Sequence, residues 1–328
     1  MSCRANLFPL VPGLAWLAAP VIRPARICTS KYARMAWQST RGISCQHPKN
    51  LTPSFHSRPG FKYMDEQTLR KALSNIPLGG LRYLEKTGST NDVALAWAAD
   101  GAPDLALVVA GEQTAGRGRG SHGWFTAPGT SLAFSLIFRP LPAEEQVTPL
   151  FSALGALAVC EVLAVQGFHP EIKWPNDVLL SRKKVCGVLA ESIWAGEKVD
   201  SLVLGIGLNI TPEALPAPDQ LDFPATCLEA ELPFPRQDSG SLEQVILLQQ
   251  IIQAVRYWRV LLTSSVFIHS WERHLAFRGE QVEIWTTGQA SRKGQLDGLE
   301  QDGRLRLLTP QGRPFSVQFG EVHLRPVV

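Results

Sequence analysis

The sequence predicts an α+β chain in which long, apolar-faced helices pack on a mixed β-sheet, followed by a small all-β domain. Three observations carry this. Nearly continuous apolar runs of strand length, 105–111 and 131–138, are those of buried strands. Two long patterns, 146–166 and 242–262, repeat apolar residues at helical spacing. From Gly279 onward, short alternating strands are separated by Gly288, Gly298, Asp302-Gly303 and Gln311-Gly312, the texture of a small β-barrel or sandwich.

Taken in order, residues 1–63 hold nine Lys/Arg and no Asp or Glu, with no sustained period, and read as a disordered leader or targeting segment. An acid-free, Arg/Ser-rich composition fits an organellar transit peptide. A secretory signal fits less well, because Pro9, Pro12 and Pro20 interrupt the apolar stretch 7–22, which is also too short to span a membrane. A third reading is a translated leader upstream of a functional start near Met64, where acids and then an amphipathic turn or two begin. Leu81–Leu84 is a short strand, and Ser89 or Thr90 stands at the N-cap position of a helix through Val93–Ala99. Strand 105–111, a glycine-rich loop, strand 131–138 and helix 146–166 follow. Strand-like pieces at 171–174, 185–194 and 202–210 lead into a Pro-rich loop, then helices 242–262 and 266–275. The last strands are 282–285, 291–297, 304–308 and 315–319. The expected division is a leader (1–63), a catalytic domain (64–277) and a C-terminal β domain (278–328).

Composition bounds the function. A hydrophobic content of 45% with 19% charged residues suits a soluble protein with a real core. The net charge of +3 is uneven: with nine bases in the first 63 residues, residues 64–328 keep 23 basic against 29 acidic side chains, a net of −6. An acidic body argues against a nucleic-acid surface. None of the six cysteines has CxxC spacing, so neither a disulfide framework nor a zinc site is expected. Cys160 and Cys186 sit in apolar runs and read as core packing.

Five stretches carry chemistry. Between Gly111 and Trp124 lie five glycines with Arg117 and Arg119, a backbone able to approach a ligand closely and two permanent charges suited to carboxylate or phosphate. Ser89-Thr90-Asn91-Asp92 either caps the helix or reads a polar ligand head. Lys173-Trp174-Pro175-Asn176-Asp177 gathers cation, amide and carboxylate after a strand; a plain turn explains Pro-Asn-Asp but not the Lys-Trp before it. Lys183-Lys184-Val185-Cys186-Gly187 sets a lysine at a strand entry, and Gly205-Ile206-Gly207-Leu208-Asn209 ends a buried strand with a glycine-lined approach and an amide. A dinucleotide-binding reading of the glycines fails, because they precede a strand and not a helix N-terminus.

In combination, order and spacing, these motifs resemble the biotin protein ligases (biotin–[acetyl-CoA-carboxylase] ligases), over roughly residues 82–328. The chain resembles the monofunctional type: the 25 residues between Met64 and Ser89 are too few for the N-terminal winged helix-turn-helix of bifunctional members. The resemblance implies a mixed-sheet catalytic domain of the class II aminoacyl-tRNA synthetase/biotin ligase type with a small SH3-like C-terminal barrel. It implies activation of biotin with ATP and Mg²⁺ to biotinyl-5′-adenylate, then transfer of the biotinyl group to one lysine of a biotin carboxyl carrier protein or domain. Ser89, Thr90, Asn91 and Gln113 are then expected on the ureido ring of biotin, with Gly187 alongside. Arg117, Gly118 and Arg119 should fold over the acyl-phosphate, and Trp124 over the adenine or the far side of the loop. Lys184 should lie between the biotin carboxyl and the phosphate and Lys173 against the phosphates. Asn176 and Asp177 belong near metal, ribose or incoming lysine, Asp177 as a candidate to hold or deprotonate that amine, and Asn209 belongs with the residues that bind ATP or the adenylate. The metal ligands stay unassigned. No nucleic-acid or membrane partner is implied, a homodimer is compatible, and the expected compartment is the cytoplasm, or an organelle if residues 1–63 are a transit peptide. The rival readings are a lipoate or octanoate ligase or transferase of the same fold and, more remotely, a biotin-sensing repressor.

Overall fold

Strand β1 (Gly80–Thr87) pairs in parallel with β2 (Ala106–Arg117), and helix α2 (Thr90–Ala99) makes the crossover between them, preceded by the short α1 (Glu66–Ala72). The computed structural model describes residues 64–120, 122–232, 244–286, 290–319 and 322–327, all within one compact unit, Phe61–Val328. The leader expected at 1–63, and its cysteines Cys3, Cys28 and Cys45, lie outside the described residues.

The remaining strands of the main sheet are β3 (Gly123–Thr126), β4 (Ser131–Phe138), β5 (Glu171–Lys173), β6 (Asp177–Leu180), β7 (Lys183–Ala195) and β8 (Lys198–Asn209). They run in the order β1-β2-β4-β8-β7-β6-β5, with β3 added to the end of β2 and every pair but the first antiparallel. The sheet is thus mixed, as the sequence predicts.

The pleat explains the two cores. Leu107 and Val109 of β2 point to one side with Phe134, Leu136 and Phe138 of β4, where α3 (Leu150–Val165), α4 (Gln244–Val260) and α5 (Ser265–Arg273) cover them. Ala106, Val108, Ile137 and Val203 point to the other, under Ala94 and Ala98 of α2. Successive residues of a strand face opposite sides, so alternation within one apolar run serves both layers. Helix α3 is buried almost all round, which is why its apolar pattern is so dense. It lies so close to the sheet that a Cβ at Gly155 would stand 2.8 Å from Val188 Cγ1.

The second sheet holds β9 (Gln281–Thr286), β10 (Arg292–Leu299), β11 (Leu305–Leu308), β12 (Pro314–Val317) and β13 (Val322–Pro326), antiparallel in the order β12-β11-β10-β9-β13. Its two end strands do not pair with each other among the described residues, so an antiparallel sheet and no closed barrel is observed. Trp174, 2% exposed, bolts it to the main sheet: its Nε1 donates to Gly303 O at 3.0 Å and its ring lies 5.3 Å from that of Phe319. That contact accounts for the Trp of the Lys-Trp pair that a plain turn left unexplained. Among the described residues no helix is long and apolar enough to cross a membrane.

Candidate functional site

A cavity of about 630 Å³ opens at the ends of β2, β7 and β8 and is closed by the β5–β6 turn and the loop 214–225. Every site residue expected from the sequence lines it, although these residues come from stretches up to 120 positions apart, Ser89 to Asn209. The volume is in the range of small-ligand pockets.

One end is a network of mostly uncharged hydrogen bonds. Ser89 is the N-cap of α2 yet makes no side-chain capping bond, so its hydroxyl is not committed to the helix. Thr90 donates from N and Oγ1 to Gln113 Oε1 at 2.7 and 3.0 Å, and Gln113 Nε2 donates to Thr126 Oγ1 at 3.3 Å. Ser135 Oγ lies 2.6 Å from Asn91 Oδ1 and 2.8 Å from Thr90 Oγ1. Asn91 Nδ2 donates to Glu191 Oε2 at 2.7 Å. Ser89, Thr90 and Asn91 are all buried, and glycine is required beside them: a Cβ at Gly205 would fall 2.1 Å from Asn91 Oδ1.

The other end is ionic. Lys173 and Asp177 are opposite each other across the β5–β6 hairpin. Asp177 Oδ1 accepts from Lys184 Nζ at 2.7 Å and Oδ2 lies 3.7 Å from Lys173 Nζ. Burial works to raise the Asp177 pKa, but Lys184, Lys173 and Arg119 together hold it below the ordinary carboxylate value. Burial pulls the Lys173 pKa down, with Lys184 and Arg325 adding to the effect and Asp177 opposing it. The Lys173 ammonium also sits 4.4 Å from the centre of the Phe223 ring. Lys184 is gripped through its backbone by the loop: its N donates to Pro224 O at 2.7 Å and its O accepts from Thr226 N at 2.8 Å. Lys183, its neighbour, turns away to Glu231 at 3.3 Å.

Between the two ends the glycine-rich stretch is a hairpin. Strand β2 continues through Arg117, turns, and returns as β3, with Gly116 opposite Trp124 and Arg117 opposite Gly123. Trp124 lies on a floor of glycines: a Cβ at Gly207 would stand 2.3 Å from its Cε2 and one at Gly187 2.9 Å from its Cζ3. Its buried Nε1 has no hydrogen-bond partner among the described residues. Trp124, expected over the adenine or the far side of the loop, thus sits in the cavity against Gly187 and Gly207. His122 at the hairpin tip reaches Asp222 of the facing loop at 2.9 Å.

Three expectations need adjustment. Arg117, though it lines the cavity, has its guanidinium held by carboxylates, 2.7 Å from both Glu191 and Asp92. Asn176 donates to Val188 O, and Asn209 donates to Thr226 O at 3.1 Å, so both amides brace the backbone. Only Asn176 Oδ1 is turned to a charged group, accepting from Arg119 Nη1 at 3.2 Å. Glu191 and Ser135 were given no role by the sequence, and Asp92 only as a member of the Ser89–Asp92 stretch. The signals were a carboxylate following the apolar run Val185–Ala190 within β7 and a hydroxyl inside the apolar strand Ser131–Phe138, where an unpaired polar group is costly. Cys160 and Cys186 are buried thiols whose pKa values burial pushes up, as core residues should be.

Residues 83–209 match the Biotin/lipoate A/B protein ligase family. The chain is 32% identical over 270 residues to the biotin–[acetyl-CoA-carboxylase] ligase of Mycobacterium tuberculosis, covering 80% of this chain and 96% of that one. The chain belongs to the biotin protein ligase family. Over 187 residues it is 35% identical to the bifunctional ligase/repressor BirA of Bacillus spizizenii, spanning 57% of that relative's length. In three dimensions it matches the biotin protein ligase of Aquifex aeolicus solved in complex with biotin and ATP, with a TM-score of 0.63, 26% identity, and coverage of 76% of this chain and 99% of that one. The α+β mixed sheet with a C-terminal β domain is thus the fold of this ligase family.

Proposed function

We propose that this chain activates biotin with ATP to biotinyl-5′-adenylate and transfers the biotinyl group to a lysine of a carboxylase's biotin carboxyl carrier protein or domain. The observation that carries this reading is the pairing, within one cavity, of a neutral hydrogen-bonding end with an ionic end where Lys184, Lys173 and Arg119 converge on Asp177. Ser89, Thr90, Asn91 and Gln113 offer donors and acceptors for a ureido ring, which presents both.

The first step brings the biotin carboxylate to the α-phosphorus: an O–P bond forms, the bond to the β-phosphate bridge breaks, and pyrophosphate leaves. Two anions must approach, and Lys184 and Lys173 supply the positive charge that offsets their repulsion. Among the described residues no group of three or more His, Cys, Asp or Glu is placed to hold a metal, and Asp177 is already paired with two lysines. The site fits Mg²⁺ that arrives as the counter-ion of ATP, hence as part of the substrate. In the second step the acceptor lysine's nitrogen attacks the acyl carbon, the C–N bond forms, the C–O bond to AMP breaks, and the amine proton is lost. Asp177 is the carboxylate at hand to hold or take that proton. While both lysines face it, it is a weak base. Once the adenylate occupies them, its proton affinity rises.

The direct test is to incubate the protein with biotin, ATP and Mg²⁺, look for retained biotinyl-adenylate by mass spectrometry, and follow transfer to a biotin carrier domain. Lipoate in place of biotin separates the two branches of the matched family. No adenylate with biotin, but one with lipoate, would overturn the biotin reading.

A further inference from the structure

The two arginines of the hairpin are in unlike surroundings. Arg117 has carboxylate on two sides: Nη1 donates to Glu191 Oε1 at 2.7 Å, and Nη2 lies 2.8 Å from Glu191 Oε2 and 2.7 Å from Asp92 Oδ1. Arg119 instead reaches Asn176 and lowers the pKa of Asp177 through its field. A guanidinium in a two-pronged pair with one carboxylate and in contact with a second has no positive charge left over for an incoming anion. Glu191 poses the complementary question. It is a carboxylate set directly behind Asn91 and Arg117, which line a cavity whose proposed ligands are both anions, and its pairing with Arg117 offsets its repulsion of them. Its Oε2 also accepts from Asn91 Nδ2 at 2.7 Å. A continuous chain of contacts therefore runs from Arg117 through Glu191, Asn91 and Ser135 to Thr90 and Gln113.

We propose that Glu191 is a positioning residue that ties the base of the hairpin lid, through Arg117, to the cluster that reads the biotin head. Arg117 is then a strut and not an anion ligand, and Arg119 is the lid arginine that meets the phosphate. Asp92 steadies the strut from the solvent side. This rests on the biotin–ATP reading above, and it adds a division of labour within the lid. Its consequence is that the lid stays over the adenylate only while Glu191 holds Arg117, whereas biotin affinity without ATP hardly depends on Arg117.

The test uses the full chain and the variants Glu191→Gln, Arg117→Gln, Arg117→Lys and the double variant Glu191→Gln/Arg117→Gln. Release of preformed biotinyl-adenylate is followed by rapid gel filtration, and biotin affinity by calorimetry without ATP. Each single variant should release adenylate about tenfold faster, and in the two Arg117 variants, which leave Asn91 its Glu191 partner, biotin affinity should stay within about threefold of the parent. The double variant should be no faster than the faster single one, because both remove the same pair. Arg117→Lys is the sharpest arm: lysine keeps the charge an anion would need but cannot span Glu191 and Asp92. Parent-like retention in Arg117→Lys or in Glu191→Gln overturns the proposal, and so does a double variant about a hundredfold faster, the product of two independent effects. If Glu191→Gln fails to fold, equal release by Arg117→Lys and Arg117→Gln supports the strut and unequal release overturns it. Trypsin cleavage after Arg119 in the ligand-free protein tests the strut apart from the functional reading, and Glu191→Gln should raise its rate about fivefold. Unchanged cleavage overturns the strut, whereas absent adenylate in the parent overturns only the biotin reading.

Discussion

The two ends of the cavity differ in kind. The head end is built of Thr90, Asn91, Gln113 and Ser135, whose bonds are mostly uncharged and already made in the ligand-free protein, with Glu191 as its charged edge. The ionic end has two lysines on one carboxylate, so it holds more positive than negative charge and is completed by anions. The contrast teaches that recognition and chemistry are assigned to different physics. A preformed hydrogen-bond array selects by shape and by the penalty for leaving buried polar groups unpaired. A cluster with excess positive charge stabilises negative charge where it accumulates in the transition state. The contrast breaks if changes at one end alter the parameter assigned to the other.

The largest effect is expected at the ionic end. Lys184→Ala removes the cation 2.7 Å from Asp177 and should lower the rate of adenylate formation about a thousandfold, while biotin affinity measured without ATP changes less than about tenfold. Pyrophosphate exchange and calorimetry give the two numbers. Equal losses in both would erase the distinction between the ends. Next in size is Gly205→Ala. The new methyl would meet Asn91 Oδ1, and it must displace the asparagine or the strand. Biotin affinity should fall about a hundredfold, with the rate at saturating biotin largely kept. Ser135→Ala is the milder probe of the same end. Without the hydroxyl, Asn91 Oδ1 loses its 2.6 Å partner, and biotin should bind about tenfold more weakly, again with the saturated rate intact.

How far the sequence disclosed this arrangement also follows the division. The apolar runs told the sheet and helices apart because burial imposes periodicity, and β4 has the bounds its run suggests, Ser131–Phe138. Strands β3, β6 and β13 were not foreseen: β3 lies in the glycine-rich stretch that reads as a loop, and β6 begins at Asp177, inside what reads locally as a turn. The ionic end was legible because lysines, arginines and glycines in short motifs are unusual enough to stand out. Partners supplied from a distance were not. Glu191 meets Asn91 across 100 positions and Arg117 across 74, and only the sheet order brings those strands together. Arg117 was read by its charge, which a sequence shows, and not by its partners Glu191 and Asp92, which only the fold supplies. The bracing roles of Asn176 and Asn209 were hidden likewise, since an amide's partner here is a backbone carbonyl that carries no sequence signal.

The smallest effect tests the ionic end by proton and not by deletion. Lys173 is pulled below the ordinary lysine value of 10.5 chiefly by burial, helped by the nearby positive charges of Lys184 and Arg325 and opposed by Asp177. A lysine is charged below its pKa and neutral above it, so a lowered value means that charge is lost earlier as pH rises. Adenylate formation should therefore decline on the alkaline side before free lysine would titrate. Arginine stays charged throughout that range. Lys173→Arg should slow the reaction by no more than about tenfold near neutral pH, from imperfect fit, but move the alkaline decline upward. The measurement must be pyrophosphate exchange in the first step alone, because transfer to a carrier lysine gains from deprotonation of the acceptor and would mask the decline. An alkaline limb that stays in place in Lys173→Arg would show that another group titrates there and that the charge of Lys173 is not what the first step uses.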